Sequence, residues 1–190
     1  MNRSRLVPLV EAALTIALAA VLHFASRLWQ MPAGGTISLE MLPVIVLALR
    51  RGVVIGVVAG ALFGVVDLFL EPYVVHWVQF FLDYPIAFGA LGVAGLARPL
   101  VRRAQKPGAR RVPWLAAAAV LGSLLGGAAR FASHFVSGAV FFASNAPKGQ
   151  PVLIYSAVYN ASYLVPSLIA CALLAALVVP VLQIALPTEA

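Results

Sequence analysis

A chain of 190 residues that is 63% hydrophobic and 10% charged, with a mean hydropathy of +1.00, lacks the polar surface that a water-soluble globule of this size needs. The composition is that of an integral membrane protein, and the net charge of +7 has to be explained within that class. The lone Cys171 excludes an internal disulfide framework or a Cys-based metal cluster, and without GxxxxGK[ST], HExxH or GxSxG motifs there is no P-loop ATPase and neither of those two hydrolase chemistries.

A spanning helix needs ~20 apolar residues. The first candidate, over about 6–26, carries one acid near its start, Glu11. It begins after Met-Asn-Arg-Ser-Arg, is long, and lacks a small-residue cleavage site, so it reads as a helix and not as a cleaved signal peptide. The polar stretch 28–40 follows, with Trp29, Gly34, Gly35 and Glu40. A second helix over about 40–50 is too short to cross a ~30 Å hydrocarbon core unaided, and Arg50-Arg51-Gly52 after it marks a turn at a surface. The third helix, 53–70, carries only Asp67, and the fourth, 77–97, carries only Asp83. A basic segment over 98–112 leads to a fifth helix at about 113–140 and a sixth at about 153–185. The expected fold is therefore a single-domain, all-α bundle of six transmembrane helices, five long and one short, with no internal repeat of the inverted-repeat transporter kind.

Lys and Arg accumulate in cytoplasmic loops. With both termini cytoplasmic, Arg3, Arg5, Arg50, Arg51, Arg98, Arg102, Arg103, Lys106, Arg110 and Arg111 lie inside, whereas Arg27 and Lys148 lie outside and Arg130 is embedded. The positive charge is thus a topology signal, and no nucleic-acid partner is expected. On this orientation 28–40, 71–76 and 141–151 face outward.

Ionisable groups inside a membrane are functional candidates, because each costs ~2.5–3.5 kcal/mol at a helix centre. Asp83 lies about a turn and a half into the fourth helix, and Arg130 and His134 share a face of the fifth. Asp83 and His134, with the aromatics Trp29, Tyr84, Phe141, Phe142, Tyr155 and Tyr159 and the amide of Asn160, would suit a small, flat, cationic heterocycle. Plainer readings stand beside this one. His134 is either a ligand group or a helix–helix hydrogen bond. Asp67 either pairs with Arg130 or lies near the outer interface, Glu40 either caps the short helix or belongs to a lid, and Gly34-Gly35 makes either a turn or a hinge. Trp77 and Trp114 fit an interfacial belt. On the first helix Ala13, Ala17 and Ala20 form a small-residue face suited to internal packing or to a partner.

Four blocks, MPAGGTISLEMLPVIVLALRRG (31–52), VQFFLDYPIAFGALGVAGL (78–96), HFVSGAVFF (134–142) and YSAVYNASYLVPS (155–167), resemble in order and spacing the thiamine-specific substrate-binding subunits, or S components, of energy-coupling factor (ECF) vitamin transporters. The resemblance covers most of the chain. It implies a six-helix bundle in a prokaryotic cell membrane that binds thiamine at its outer side. The implied partners are a transmembrane coupling protein and two cytoplasmic ATPases. It further implies thiamine contacts from Asp83, Tyr84, His134, Phe142, Tyr155 and Asn160, more loosely from Trp29 with Tyr159 nearby, and a coupling-protein contact at Ala13 and Ala17. No cofactor or metal is implied.

Two positions depart from the family pattern: Asp83 stands where glutamate is usual and Phe142 where tryptophan is usual, so reach and stacking area shrink. Tyr155 and Asn160 lie about 140° apart on an ideal helix, which Tyr155 escapes if it occupies the loop or first turn after Pro151; Tyr159 and Tyr163 are the substitutes on the side of Asn160. Loop 30–40 is expected to close over the ligand, with Gly34-Gly35 supplying backbone freedom. The rivals are an S component for another vitamin or a related pyrimidine, a channel or stand-alone transporter built on Asp67, Asp83 and Arg130, and an enzyme with Asp83 and His134 as acid and base. The enzyme reading lacks a nucleophile or metal set to complete a reaction class.

Overall fold

A computed structural model describes residues 3–26, 29–32 and 34–186, and of residues 3–5 and Trp29 the backbone alone. Six helical segments follow one another: α1 (Arg3–Ala25), α2 (Met41–Arg51), α3 (Val53–Leu70), α4 (Trp77–Ala104), α5 (Arg111–Phe141) and α6 (Val152–Ala185). All but α2 contain stretches long and apolar enough to cross a membrane. Between α1 and α2, strands β1 (Trp29–Gln30) and β2 (Thr36–Ile37) form a short antiparallel hairpin, with Trp29 opposite Ile37 and Gln30 opposite Thr36.

The short helix is the centre of the bundle. At about 1.5 Å per residue α2 is only about 16 Å long, yet Met41 and every residue from Pro43 to Arg50 are buried, and α1, α3, α4, α5 and α6 all pack against it. Its apolar side chains meet protein on every side. The long helices instead turn rows of large apolar residues outward, such as Leu14, Leu18 and Val21 on α1 and Leu173, Leu177 and Val181 on α6. Such surface is stable only against lipid.

Arginine closes the end of the bundle where α2 stops. Arg50 and Arg51 both reach Glu11 of α1, at 3.1 Å and 2.6 Å, and Arg50 also donates to the carbonyls of Leu182 and Leu186 at the end of α6. Arg98 to Ala104, read from sequence as loop, continue α4 as helix, so the basic connection to α5 is short. Arg103 of α4 stacks over Trp114 of α5, 4.2 Å from the ring centre.

Glycines let α3 and α4 touch backbone to backbone. A methyl group at Gly60 would stand 2.2 Å from the Phe88 carbonyl oxygen, and one at Gly64 would stand 2.4 Å from that of Tyr84. Along this contact α4 is irregular, with a π turn over Leu82–Ile86 followed by 3₁₀ geometry over Leu91–Ala97. Pro85 lies within the π turn and cannot donate to the preceding turn, and the Leu82 carbonyl accepts from Ser133 Oγ of α5 at 2.6 Å. Asp83 sits in this widened turn, which is how one residue of a packed helix points at a cavity. Gly60→Val is expected to destabilise the protein by about 1–3 kcal/mol through overpacking. The check is the unfolding midpoint in detergent, with Val54→Leu on the exposed face as the control that leaves it unchanged.

Candidate functional site

At the end opposite the arginines, a cavity of about 260 Å³ opens between α1, α3, α4, α5, α6 and the hairpin. Its walls include Asp83, Tyr84, His134, Phe142, Tyr155, Tyr159 and Asn160, together with Gly34, Gly35 and Glu40. The side chain of Trp29 lies outside the described residues. Ala13 and Ala17 are remote from the cavity, exposed on the outer face of α1, whereas Ala19 is fully buried.

The polar wall is a chain of single-purpose hydrogen bonds. Arg130 Nε donates to His134 Nε2 at 3.3 Å, and since guanidinium has no acceptor, Nε2 must be the accepting nitrogen. His134 Nδ1 therefore carries the proton and faces Asp83 Oδ1 at 3.1 Å. Asp83 Oδ2 accepts from Gln79 Nε2 at 2.7 Å and from Ser137 Oγ at 2.9 Å. Gln79 is in turn held by the Tyr73 carbonyl and the Val75 amide. The carboxylate is thus fixed in orientation before any ligand arrives, although it is one carbon shorter than glutamate.

Asn160 Nδ2 donates to the carbonyls of His134 and Ser156, at 3.2 Å and 2.9 Å, and its Oδ1 accepts from Tyr163 OH at 2.8 Å. Small residues allow this approach of α5 and α6, since a methyl group on Gly138 would meet Ser156 Oγ at 2.4 Å. Tyr155 occupies the first turn of α6, its amide bonded to the Pro151 carbonyl, and so reaches the same cavity as Asn160 from above. Tyr159 stands between Tyr155 and Tyr163, with ring centres 5.7 Å and 6.3 Å away. Phe142, just past the end of α5, stacks on Tyr73 at 5.9 Å with an interplanar angle of 19°. The Tyr84 hydroxyl is taken up by backbone, donating to the Glu71 carbonyl and accepting from the Tyr73 amide.

The hairpin covers the cavity. Gly34 and Gly35 have φ of 87° and 93°, conformations that other residues adopt only with strain. A methyl group on Gly35 would also stand 2.6 Å from the Tyr163 ring. The Gly34 carbonyl accepts from Tyr159 OH at 3.1 Å, and Gln30 bonds to Glu71 across the cavity mouth.

Two expectations for the acids need correction. Glu40 precedes α2 but makes no side-chain cap; its carboxylate turns inward to Arg130 at 3.1 Å and to His23 at 2.9 Å. Asp67 pairs with His23, at 2.9 Å, rather than with Arg130. The Arg130 guanidinium, buried over the Phe88 ring at 3.9 Å, instead joins Glu40 to His134. Residues the sequence reading missed are His23, Tyr73, Gln79, Ser137 and Gly138, with Tyr163 recognised only as a substitute. For His23 the signal was present, an ionisable group inside an apolar helix. Nothing in the chain pattern distinguishes Tyr73 from other loop aromatics.

Over residues 9–187 the chain matches the family described as thiamine transporter protein (Thia_YuaJ). It is 43% identical over 178 residues to the thiamine transporter ThiT of Bacillus subtilis (strain 168), covering 91% of each chain. It is 32% identical over 163 residues to the thiamine transporter ThiT of Lacticaseibacillus paracasei, covering 84% of this chain and 80% of that one. A solved structure of ThiT from Listeria monocytogenes superposes with a TM-score of 0.74 at 27% identity, covering 97% of each chain. With a helical membrane bundle and a polar, aromatic-walled cavity under a hairpin, the chain belongs to the thiamine transporter family, and its work is transport and not catalysis.

Proposed function

We propose that the chain binds thiamine in the hairpin-covered cavity from outside a prokaryotic plasma membrane, and delivers it inward as the substrate-binding subunit of an ECF transporter. The observation that carries the reading is Asp83. In a member of the thiamine transporter family, this carboxylate is held at the cavity wall by His134, Gln79 and Ser137, among aromatic rings. A fixed carboxylate suits the amino group and permanent positive charge of thiamine, and the rings of Phe142, Tyr73, Tyr155 and Tyr159 suit its two flat heterocycles. The volume of about 260 Å³ lies just below the range usual for ligand pockets (~300–1,000 Å³), which suits a small ligand. Asp83, the acid of the ligand wall, favours a cation over a phosphorylated ligand.

The orientation follows from charge. Arg50, Arg51 and the basic connection after α4 gather at the end opposite the cavity, which the positive-inside rule assigns to the cytoplasm. The exposed Ala13 and Ala17 then give the coupling protein a flat strip on α1, with the ATPases below.

Three outcomes test this reading. Thiamine titration followed by tryptophan fluorescence should give saturable quenching, with affinity about 100-fold weaker in Asp83→Asn, as expected when a charged partner is removed from a buried bond. Quenching by a different pyrimidine alone would keep the architecture and replace the ligand. Tyr159→Phe, which removes the bond to the Gly34 carbonyl, should raise the thiamine off-rate about fivefold with the on-rate nearly unchanged. Replacing Ala13 and Ala17 by tryptophan should abolish uptake in cells carrying the partner subunits while purified protein still binds thiamine; loss of binding as well would show that this face packs internally.

A further inference from the structure

The floor of the cavity holds a second cluster that the proposed thiamine contacts do not use. His23 of α1, Glu40 before α2 and Asp67 of α3 come from three separate elements, yet one ligand atom of each lies within 4.8 Å of the other two. All three are more than nine-tenths buried, and all three line the cavity. His23 Nδ1 stands 2.9 Å from Glu40 Oε2 and 2.9 Å from Asp67 Oδ1. A ring nitrogen has one proton to give, and it serves Glu40. Asp67 Oδ1 is left buried without a hydrogen bond, a state that costs free energy until a proton or cation arrives.

We infer that His23, Glu40 and Asp67 form a binding site for a divalent transition-metal ion, with a further coordination position open to the cavity. The donor set is one imidazole and two carboxylates, which suits zinc, manganese or cobalt better than magnesium, an ion that prefers oxygen alone. Ligand bonds of about 2.0–2.2 Å place the ligands of a tetrahedral ion about 3.3–3.5 Å apart. Two of the three edges here therefore need to open by only a few tenths of an ångström. The surrounding groups have the roles that metal sites require of their outer shell. Glu71 Oε2 lies 3.5 Å from His23 Nε2, so it steadies the imidazole from behind. The other oxygen of Glu40, Oε1, accepts from Arg130 at 3.1 Å, which leaves Oε2 for the ion and keeps the guanidinium on the far side of the carboxylate. A bound ion would tie α1 and α3 to the residue from which the hairpin enters α2, and so set the base of the lid.

The test uses tag-free, full-length protein in detergent, stripped with chelator and titrated with Co²⁺, whose visible bands report a coordinated ion. The expected result is one Co²⁺ per chain, displaced by Zn²⁺, with affinity at least about 100-fold weaker in His23→Gln and in Asp67→Asn and about tenfold weaker in Glu71→Gln, an outer-shell change. Unfolding midpoints without metal show which variants remain folded, and Glu71→Gln, farthest from the helix core, serves if the other two do not. Absence of saturable bands in the wild-type protein overturns the inference, as does an affinity that none of the folded variants changes. Thiamine titration of the same stripped sample reads the vitamin site separately, so failure of one assignment leaves the other standing.

Discussion

Charge inside a bilayer must find its partner within the protein, and most of this architecture follows from meeting that requirement. Six ionisable side chains, His23, Glu40, Asp67, Asp83, Arg130 and His134, lie at the cavity end of a bundle whose outer surface is apolar. Most of their polar atoms are matched by one another and by Gln79, Ser137 and Glu71, with Asp67 Oδ1 the exception. Arg130 is the joint of this system. Its planar fork reaches Glu40 and His134 at once while its face rests on Phe88, so one side chain connects the start of α2 to the imidazole that orients Asp83. A lysine at this position has no second edge to offer.

Packing is what makes that network reachable. The glycines of α3 bring its backbone against α4, and the π turn with Pro85 rotates Asp83 out of the helix ladder toward α5. Gly138 likewise lets α6 approach until Asn160 bonds to the His134 carbonyl. Backbone irregularity at membrane depth is affordable here because Ser133 supplies a hydrogen bond to the Leu82 carbonyl. The site is thus positioned by close backbone contacts between helices, and its side chains need little freedom of their own.

The covering hairpin is joined to the same framework at both edges. Its tip is bonded to Tyr159 and rests on Tyr163, whose hydroxyl orients Asn160, and its exit leads directly into Glu40 and α2. A movement of the hairpin therefore reaches both the polar wall and the buried floor.

The long apolar stretches, the two arginines after a short helix and the single acids within spans declared a six-helix membrane bundle, because a bilayer imposes length and polarity limits that act on local sequence. Asp83, His134 and Asn160 were legible for the same reason, each being a costly group in an apolar helix. Other features depended on helix rotation and crossing, which linear spacing does not encode. Glu40 reads as either a cap of α2 or part of a lid, and only the meeting of α1, α3 and α5 turns it toward His23 and Arg130. Asp67 acquires His23 as its partner through a contact between helices whose residues are far apart in the chain. Helix α4 reads as ending near Ala97, yet it continues to Ala104, where Arg103 stacks on Trp114 of α5. The sequence by itself determined the class, the number of helices and the groups that must be compensated; tertiary structure alone decided which group compensates which, since pairing energies depend on distances that only packed helices set.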